Sequence, residues 1–109
     1  MAPRLIFEQE LEQLKEKIKE MGEYAEIGLN KLYLALKADD REGLKQLLDS
    51  DRQIVDMQRR IEAGCLALMT KQQPVARDLR LVSAALKAVS DLERIGDHVS
   101  DMSEFSKNP

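Results

Sequence analysis

The chain has 109 residues, the length of one small domain or of one repeat of a larger protein. Aromatic residues make up 4% of it, so its core must be aliphatic. Charged residues make up 34%, with both signs mixed, and the net charge is −3. This mixture is typical of a helical bundle with solvated outer faces, and it argues against nonspecific nucleic-acid binding, which needs a basic surface.

The single cysteine, Cys65, excludes an intrachain disulfide and a zinc site made of four thiolates from one chain. No apolar run approaches the roughly 20 residues that cross a bilayer, and the N-terminus lacks the apolar core of a signal peptide. We therefore expect a cytoplasmic protein that meets a membrane only through partner proteins.

Apolar residues at alternating steps of three and four predict three helices separated by two short breaks. Their expected ranges are about 6–37, 41–70 and 74–105. Breaks this short make consecutive helices antiparallel neighbours. The sequence therefore predicts an all-α fold: an antiparallel up-down-up three-helix bundle of spectrin-like appearance, with residues 1–109 as one domain.

The two breaks carry signals for the start of a helix. Asp39 or Asp40 can cap the second helix, and Pro74 suits the first turn of the third, where its missing N–H costs nothing. Gly22 and Gly28 weaken the first helix by about 1 kcal/mol each relative to alanine. We interpret these two glycines as positions where another helix packs closely.

The third helix carries two stripes that differ in character. One stripe is apolar from end to end and is expected to face the core: Leu81, Ala85, Ala88, Leu92, Ile95, Val99 and Met102. The second begins apolar and becomes acidic halfway: Leu79, Val82, Leu86, Val89, Glu93, Asp97, Asp101 and Glu104. Glu93, Asp97 and Asp101 are four residues apart, so they stack on one helix face, where like charges repel unless something neutralises them.

The pattern alone leaves two interpretations of the acidic residues open. They form a solvent-exposed charged face, or they form an oxygen-ligand metal site, since carboxylates suit magnesium, manganese, calcium and iron. Asp51 interrupts an apolar stripe of the second helix and is a candidate to join them. The only histidine, His98, has no glutamate three residues before it, so the pattern of a helical di-iron site is absent.

Two segments carry a family resemblance. Residues 72–80 read Gln-Gln-Pro-Val-Ala-Arg-Asp-Leu-Arg, and residues 91–98 read Asp-Leu-Glu-Arg-Ile-Gly-Asp-His. Together with the helix lengths, they resemble the PhoU family over essentially the whole chain. The resemblance implies a regulator of inorganic phosphate uptake, not an enzyme, which acts with the phosphate-specific ABC transporter and the sensor histidine kinase of the phosphate regulon.

The resemblance also implies a metal site. The family's Glu/Asp-x-x-x-Asp motifs bind metal ions, and the matching residues here are Glu93 and Asp97, with Asp101 extending the set. The expected ion is divalent or trivalent: iron, zinc, magnesium or manganese. A metal-dependent enzyme would further need a second set of ligands and an open coordination position, which the sequence does not show.

One departure from the family concerns length. Family members usually have two three-helix repeats, and this chain has one, which corresponds best to the N-terminal repeat. The chain is therefore either a fragment of a two-repeat protein or a single-repeat protein. A homodimer would restore a six-helix arrangement. The alternative to a metal-binding regulator is a metal-free structural module whose acidic edge meets basic residues of a partner.

Overall fold

A computed structural model shows three helices in chain order, α1 (Pro3–Ala38), α2 (Arg41–Lys71) and α3 (Ala76–Lys107). It describes the backbone of residues 3–71 and 75–107, and the side chains within 4–70 and 75–104. No strand occurs in these ranges. The prediction of an all-α three-helix bundle is confirmed, while the predicted role of Pro74 lies outside the described residues.

The helices run the length of the molecule. Its extents are 57 × 19 × 17 Å, and a helix of 36 residues such as α1 is about 54 Å long. Each helix packs against both of the others. α1 begins at Pro3 and α3 ends at Lys107, so both extend beyond the expected limits at residues 6 and 105.

Two aspartates form the break between α1 and α2, and each has a different structural role. Asp39 adopts a left-handed backbone conformation, with φ at 51°, and this ends α1. The amide of Asp40 donates to the carbonyl oxygen of Ala35 (2.9 Å), and its Oδ1 accepts a hydrogen bond from the amide of Gly43 (3.0 Å). Asp40 is therefore the residue that caps α2.

The core is aliphatic apart from one phenylalanine, as the composition requires. Its larger cluster joins all three helices and contains Phe7, Leu11, Leu14, Met21, Ala25, Ile54, Ile61, Cys65, Leu68, Val82 and Val89. A smaller cluster contains Leu32, Ala35, Leu44, Leu47 and Val99. Ile95 packs against both clusters, so the apolar interior is continuous along the bundle.

The predicted core face of α3 was partly wrong. Leu81 and Met102, at the two ends of the predicted core stripe, are 39% and 51% exposed. Val82 and Val89, from the stripe that turns acidic, are 3% and 0% exposed. Because α3 packs against two helices, its buried sector is centred between the two stripes. The acidic half of the second stripe therefore begins at the edge of the core.

The predicted packing role of Gly22 and Gly28 was also wrong. A Cβ atom added at either position would meet nothing within 4 Å. At Gly96 of α3, the same atom would lie 3.0 Å from Cγ2, 3.2 Å from Cγ1 and 3.3 Å from Cβ of Ile54 on α2. Gly96 is therefore the glycine that lets two helices approach closely.

A partly buried ion pair joins the starts of α1 and α3. Asp78 is 1% exposed, and its two oxygens accept hydrogen bonds from Nη1 (2.6 Å) and Nη2 (2.9 Å) of Arg4. It also accepts one from the amide of Val75 (3.1 Å). The hydrogen bonds from Arg4 lower the pKa of Asp78. Asp78 thus holds two helix ends together, in addition to its favourable place in the first turn of α3.

Gly96 is crowded by Ile54 and Gly22 has open surroundings, so alanine at the two positions should have opposite effects on stability. We expect Gly96→Ala to lower the free energy of unfolding, because overpacking costs about 1–3 kcal/mol and exceeds the gain of about 1 kcal/mol in helix propensity. Gly22→Ala is the matched control and should raise stability by about 1 kcal/mol, since its surroundings are open. Urea denaturation of both variants measures this, and stabilisation by both changes would show that α2 and α3 are not in tight contact at Gly96.

Candidate metal centre between the second and third helices

The contact between Gly96 and Ile54 brings carboxylates of two helices together. Asp51 lies one turn before Ile54 on α2, and Asp97 directly follows Gly96 on α3. Glu93 lies one turn before Asp97. Asp51, Glu93 and Asp97 are all partly buried. Together with the exposed Asp101, they are called the acidic cluster below.

Asp97 neighbours both of the other partly buried acids, and its interaction with each of them raises the pKa of Asp51 and of Glu93. Burial is the main cause of the raised pKa of Asp51, followed by the charge of Asp97, their hydrogen bond and the charge of Asp101. The pKa of Glu93 is raised mainly by its hydrogen bond with Asp97, with burial second, and Arg94 opposes the rise. Both shifts have the same physical origin, the partial burial of carboxylates beside other carboxylates.

One oxygen of the cluster has no partner. Oδ1 of Asp51 is buried and forms no hydrogen bond within the part of the chain that the structure describes. A buried polar group left unsatisfied costs about 1–3 kcal/mol, and more when it is charged. The cluster therefore presents an acceptor that a proton or a cation would satisfy.

The predicted metal ligands are not equivalent. Glu93 and Asp97 are partly buried and meet Asp51, as the stripe pattern of α2 and α3 suggested. Asp101 is exposed and acts on Asp51 through its charge. His98 is also exposed. A purely solvent-exposed acidic face thus describes Asp101 but does not describe the other three acids.

The donor set of the cluster consists of oxygen atoms alone. Carboxylate oxygens suit hard cations such as magnesium, manganese and iron, whereas zinc prefers sites with nitrogen or sulfur ligands. Across residues 3–71 and 75–107, no three His, Cys, Asp or Glu side chains are already arranged to hold a metal ion. The residue types fit a cation, and holding one would require the carboxylates to turn towards a common point.

Sequence reasoning missed the two residues that build the cluster, Gly96 and Ile54. Helical spacing places Gly96 on the same sector of α3 as the buried Val82 and Val89. A glycine on a buried helix face is the signal that would have indicated a close approach. Its partner could not be read from the sequence, because Ile54 lies 42 residues earlier.

None of the helices, within the residues described, is long and apolar enough to cross a membrane.

The fold and the cluster define a class of protein, a three-helix bundle with an acidic site between two of its helices. The chain belongs to the PhoU family, because the PhoU domain profile of that family matches residues 18–106. No solved structure gives a significant match.

Several curated proteins are similar to this chain. A "Phosphate-specific transport system accessory protein PhoU homolog" from Clostridium acetobutylicum is 39% identical over 105 residues, which are 95% of this chain and 48% of that protein. The protein of the same name from Synechocystis sp. is 36% identical over 103 residues, or 94% and 46%. The Escherichia coli accessory protein PhoU is 34% identical over 91 residues, or 84% and 38%. The chain thus spans less than half the length of these relatives.

The raised pKa of Asp51 gives a prediction for protein kept in chelator. We expect Asp51→Asn to raise the free energy of unfolding at neutral pH by about 1–3 kcal/mol, since it removes a repelled, unsatisfied carboxylate and supplies a donor for Asp97. Folding raises the pKa of Asp51. The folded protein therefore loses stability as the pH rises from the ordinary pKa, near 3.9, through the raised value. The variant should therefore lose less stability than the parent over that rise in pH.

Denaturation at several pH values, with Asp56→Asn as the control, measures this effect. Asp56 is an exposed acid on the same helix, so its removal changes the net charge equally. Destabilisation by Asp51→Asn in chelator would contradict the account of the cluster.

Proposed function

We propose that this chain is a regulatory binding module for inorganic phosphate uptake that binds a metal ion through the acidic cluster and has no catalytic activity of its own. Family membership and the names of the relatives support the phosphate role. The observation that carries the metal proposal is the buried oxygen of Asp51 beside Glu93 and Asp97, which forms no hydrogen bond with the part of the chain that the structure describes.

The metal ligands would be Glu93, Asp97 and Asp101 from α3, joined by Asp51 from α2. A bound cation would supply the positive charge that the cluster lacks. The chain's own residues contribute the rest: Gly96 and Ile54 hold α2 against α3, and partial burial keeps the carboxylates from being fully solvated. Oxygen-only ligands favour iron, manganese or magnesium over zinc.

The partners in this proposal are the phosphate-specific ABC transporter and its associated sensor histidine kinase. The relatives are named as accessory proteins of the phosphate-specific transport system. The chain would act in the cytoplasm, reach the membrane only through these proteins and form a homodimer. A homodimer would bring six helices together.

A metal-free interaction module is the second candidate. The observation in its favour is that, within the described residues, no three potential ligands are already arranged around one point. In that case basic side chains of a partner, rather than a cation, would neutralise the acidic cluster.

Metal binding separates the two candidates. We expect protein freed of metal by chelator and dialysed against Mn²⁺ or Fe²⁺ to retain the ion, and Glu93→Gln/Asp97→Asn to reduce its affinity by at least about tenfold, because two charged ligands are lost. Equilibrium dialysis with elemental analysis measures this directly.

Asp49→Asn/Asp56→Asn is the matched control for metal binding. Both aspartates are exposed on α2, so the variant loses the same charge without touching the cluster. Equal metal affinity in the two double variants would overturn the assignment of the site and favour the metal-free module.

The phosphate role has a separate test in cells. In a bacterium that lacks its own family member, this chain should lower expression of a phosphate-starvation reporter in phosphate-rich medium. The variant Glu93→Gln/Asp97→Asn should fail to lower expression of the reporter at matched protein levels. The control variant Asp49→Asn/Asp56→Asn should still lower it. A reporter that responds to neither form of the chain would contradict the regulatory role, whatever the outcome of the metal measurement.

A further inference from the structure

The second half of α1 is apolar on almost every side. Within residues 27–38, only Asn30, Lys31 and Lys37 are polar. Leu32 and Ala35 face the core, with 4% and 6% exposure. Several large apolar side chains remain exposed there: Ile27, Leu29, Tyr33, Leu34 and Leu36. A helix that is apolar all round is usually buried, so this segment has more apolar surface than its own bundle covers.

Two exposed stripes of this segment follow helical spacing: one holds Leu29, Tyr33 and Leu36, and the other, called the seam below, has opposite charges at its two ends. Glu23, Ile27, Asn30, Leu34 and Lys37 follow one another at steps of four and three, the spacing by which one helix packs along another. All five are exposed, Ile27 by 52% and Leu34 by 54%. Two apolar residues thus flank a central asparagine, with an acid at one end and a base at the other.

The seam is complementary to itself when its direction is reversed. An antiparallel second copy, centred on Asn30, sets Ile27 against Leu34 and Glu23 against Lys37, on both sides of the axis. The two central asparagines meet at the axis, where their amides can donate to and accept from each other. A parallel arrangement would instead bring the two glutamates together and the two lysines together. Charge therefore selects the antiparallel pairing.

The surroundings of the seam leave room for a second copy. A groove of about 470 Å³ lies between α1 and α2, and its lining includes Ile27, Gly28 and Leu34. A Cβ atom at Gly28 would meet nothing within 4 Å, so the groove is open at this point. Nζ of Lys37 lies 5.9 Å from the ring centroid of Tyr33, a contact that an ion pair with Glu23 of the second copy would replace.

We propose that two copies of this chain associate through the seam Glu23–Ile27–Asn30–Leu34–Lys37, with their α1 helices antiparallel about a two-fold axis at Asn30. This proposal rests on the homodimer of the proposed function and assigns its surface. The seam lies on α1, whereas the acidic cluster lies between α2 and α3. The dimer therefore leaves the cluster uncovered on each copy.

Sedimentation equilibrium of the full chain over a range of concentrations tests the seam. We expect a monomer–dimer equilibrium, weakened about a hundredfold or more by Ile27→Asp/Leu34→Asp, because four apolar side chains lose their contacts. Leu29→Asp/Leu36→Asp changes two exposed leucines of the same helix outside the seam and should leave the equilibrium unchanged. Circular dichroism of each variant checks that the bundle is intact.

A charge exchange tests the direction of pairing. Glu23→Lys should weaken the dimer about tenfold, since two attractive pairs become repulsive. Glu23→Lys/Lys37→Glu should restore it, because the opposite charges meet again. Failure of the double variant to restore a dimer that the single variant weakened would overturn the antiparallel arrangement.

The remaining outcomes separate this proposal from the one on which it rests. A dimer that persists unchanged in Ile27→Asp/Leu34→Asp overturns the seam and leaves a homodimer on another surface. A monomer at every concentration overturns both the seam and the homodimer.

Discussion

The contact between Gly96 and Ile54 is the constraint on which the acidic cluster depends. Without a side chain at residue 96, α3 approaches α2 to a distance at which even a methyl group would crowd the isoleucine. The residues next to Gly96 in α3 therefore also lie close to α2. Asp97 comes next to Asp51, and Glu93 follows one turn below, so an ordinary packing contact places acids of two helices against each other.

Two aspartates of the chain, the buried Asp78 and the partly buried Asp51, have opposite electrostatic environments. Asp78 receives two hydrogen bonds from Arg4 and one from a backbone amide, and its pKa is lowered. Asp51 has a buried oxygen to which no group of the described residues donates, and its pKa is raised. Asp78 stabilises the bundle, whereas the charged form of Asp51 costs stability because it is partly buried beside Asp97 and Asp101. Residues that reduce stability in this way are often retained for function, and the cation that we propose would neutralise the acidic cluster.

The sequence was informative wherever the relevant contacts are local. The spacing of apolar residues predicts the three helices. Asp40 caps α2 by accepting a hydrogen bond from the amide of Gly43, only three residues further along the chain. The spacing of Glu93 and Asp97 is likewise a property of one helix. Contacts between distant residues were not predictable. Arg4 and Asp78 are 74 positions apart, and the buried sector of α3 depends on two neighbours that periodicity does not describe.

The most direct measurement of the central claim is an NMR titration of the aspartate and glutamate side-chain carboxyl carbons, first in chelator and then with Mg²⁺. The account predicts raised pKa values for Asp51 and Glu93 in the metal-free protein, because partial burial and neighbouring acids disfavour their charged forms. It further predicts that Mg²⁺ lowers both pKa values and shifts the same carboxyl resonances. Ordinary pKa values in chelator, with no change on adding Mg²⁺, would contradict it.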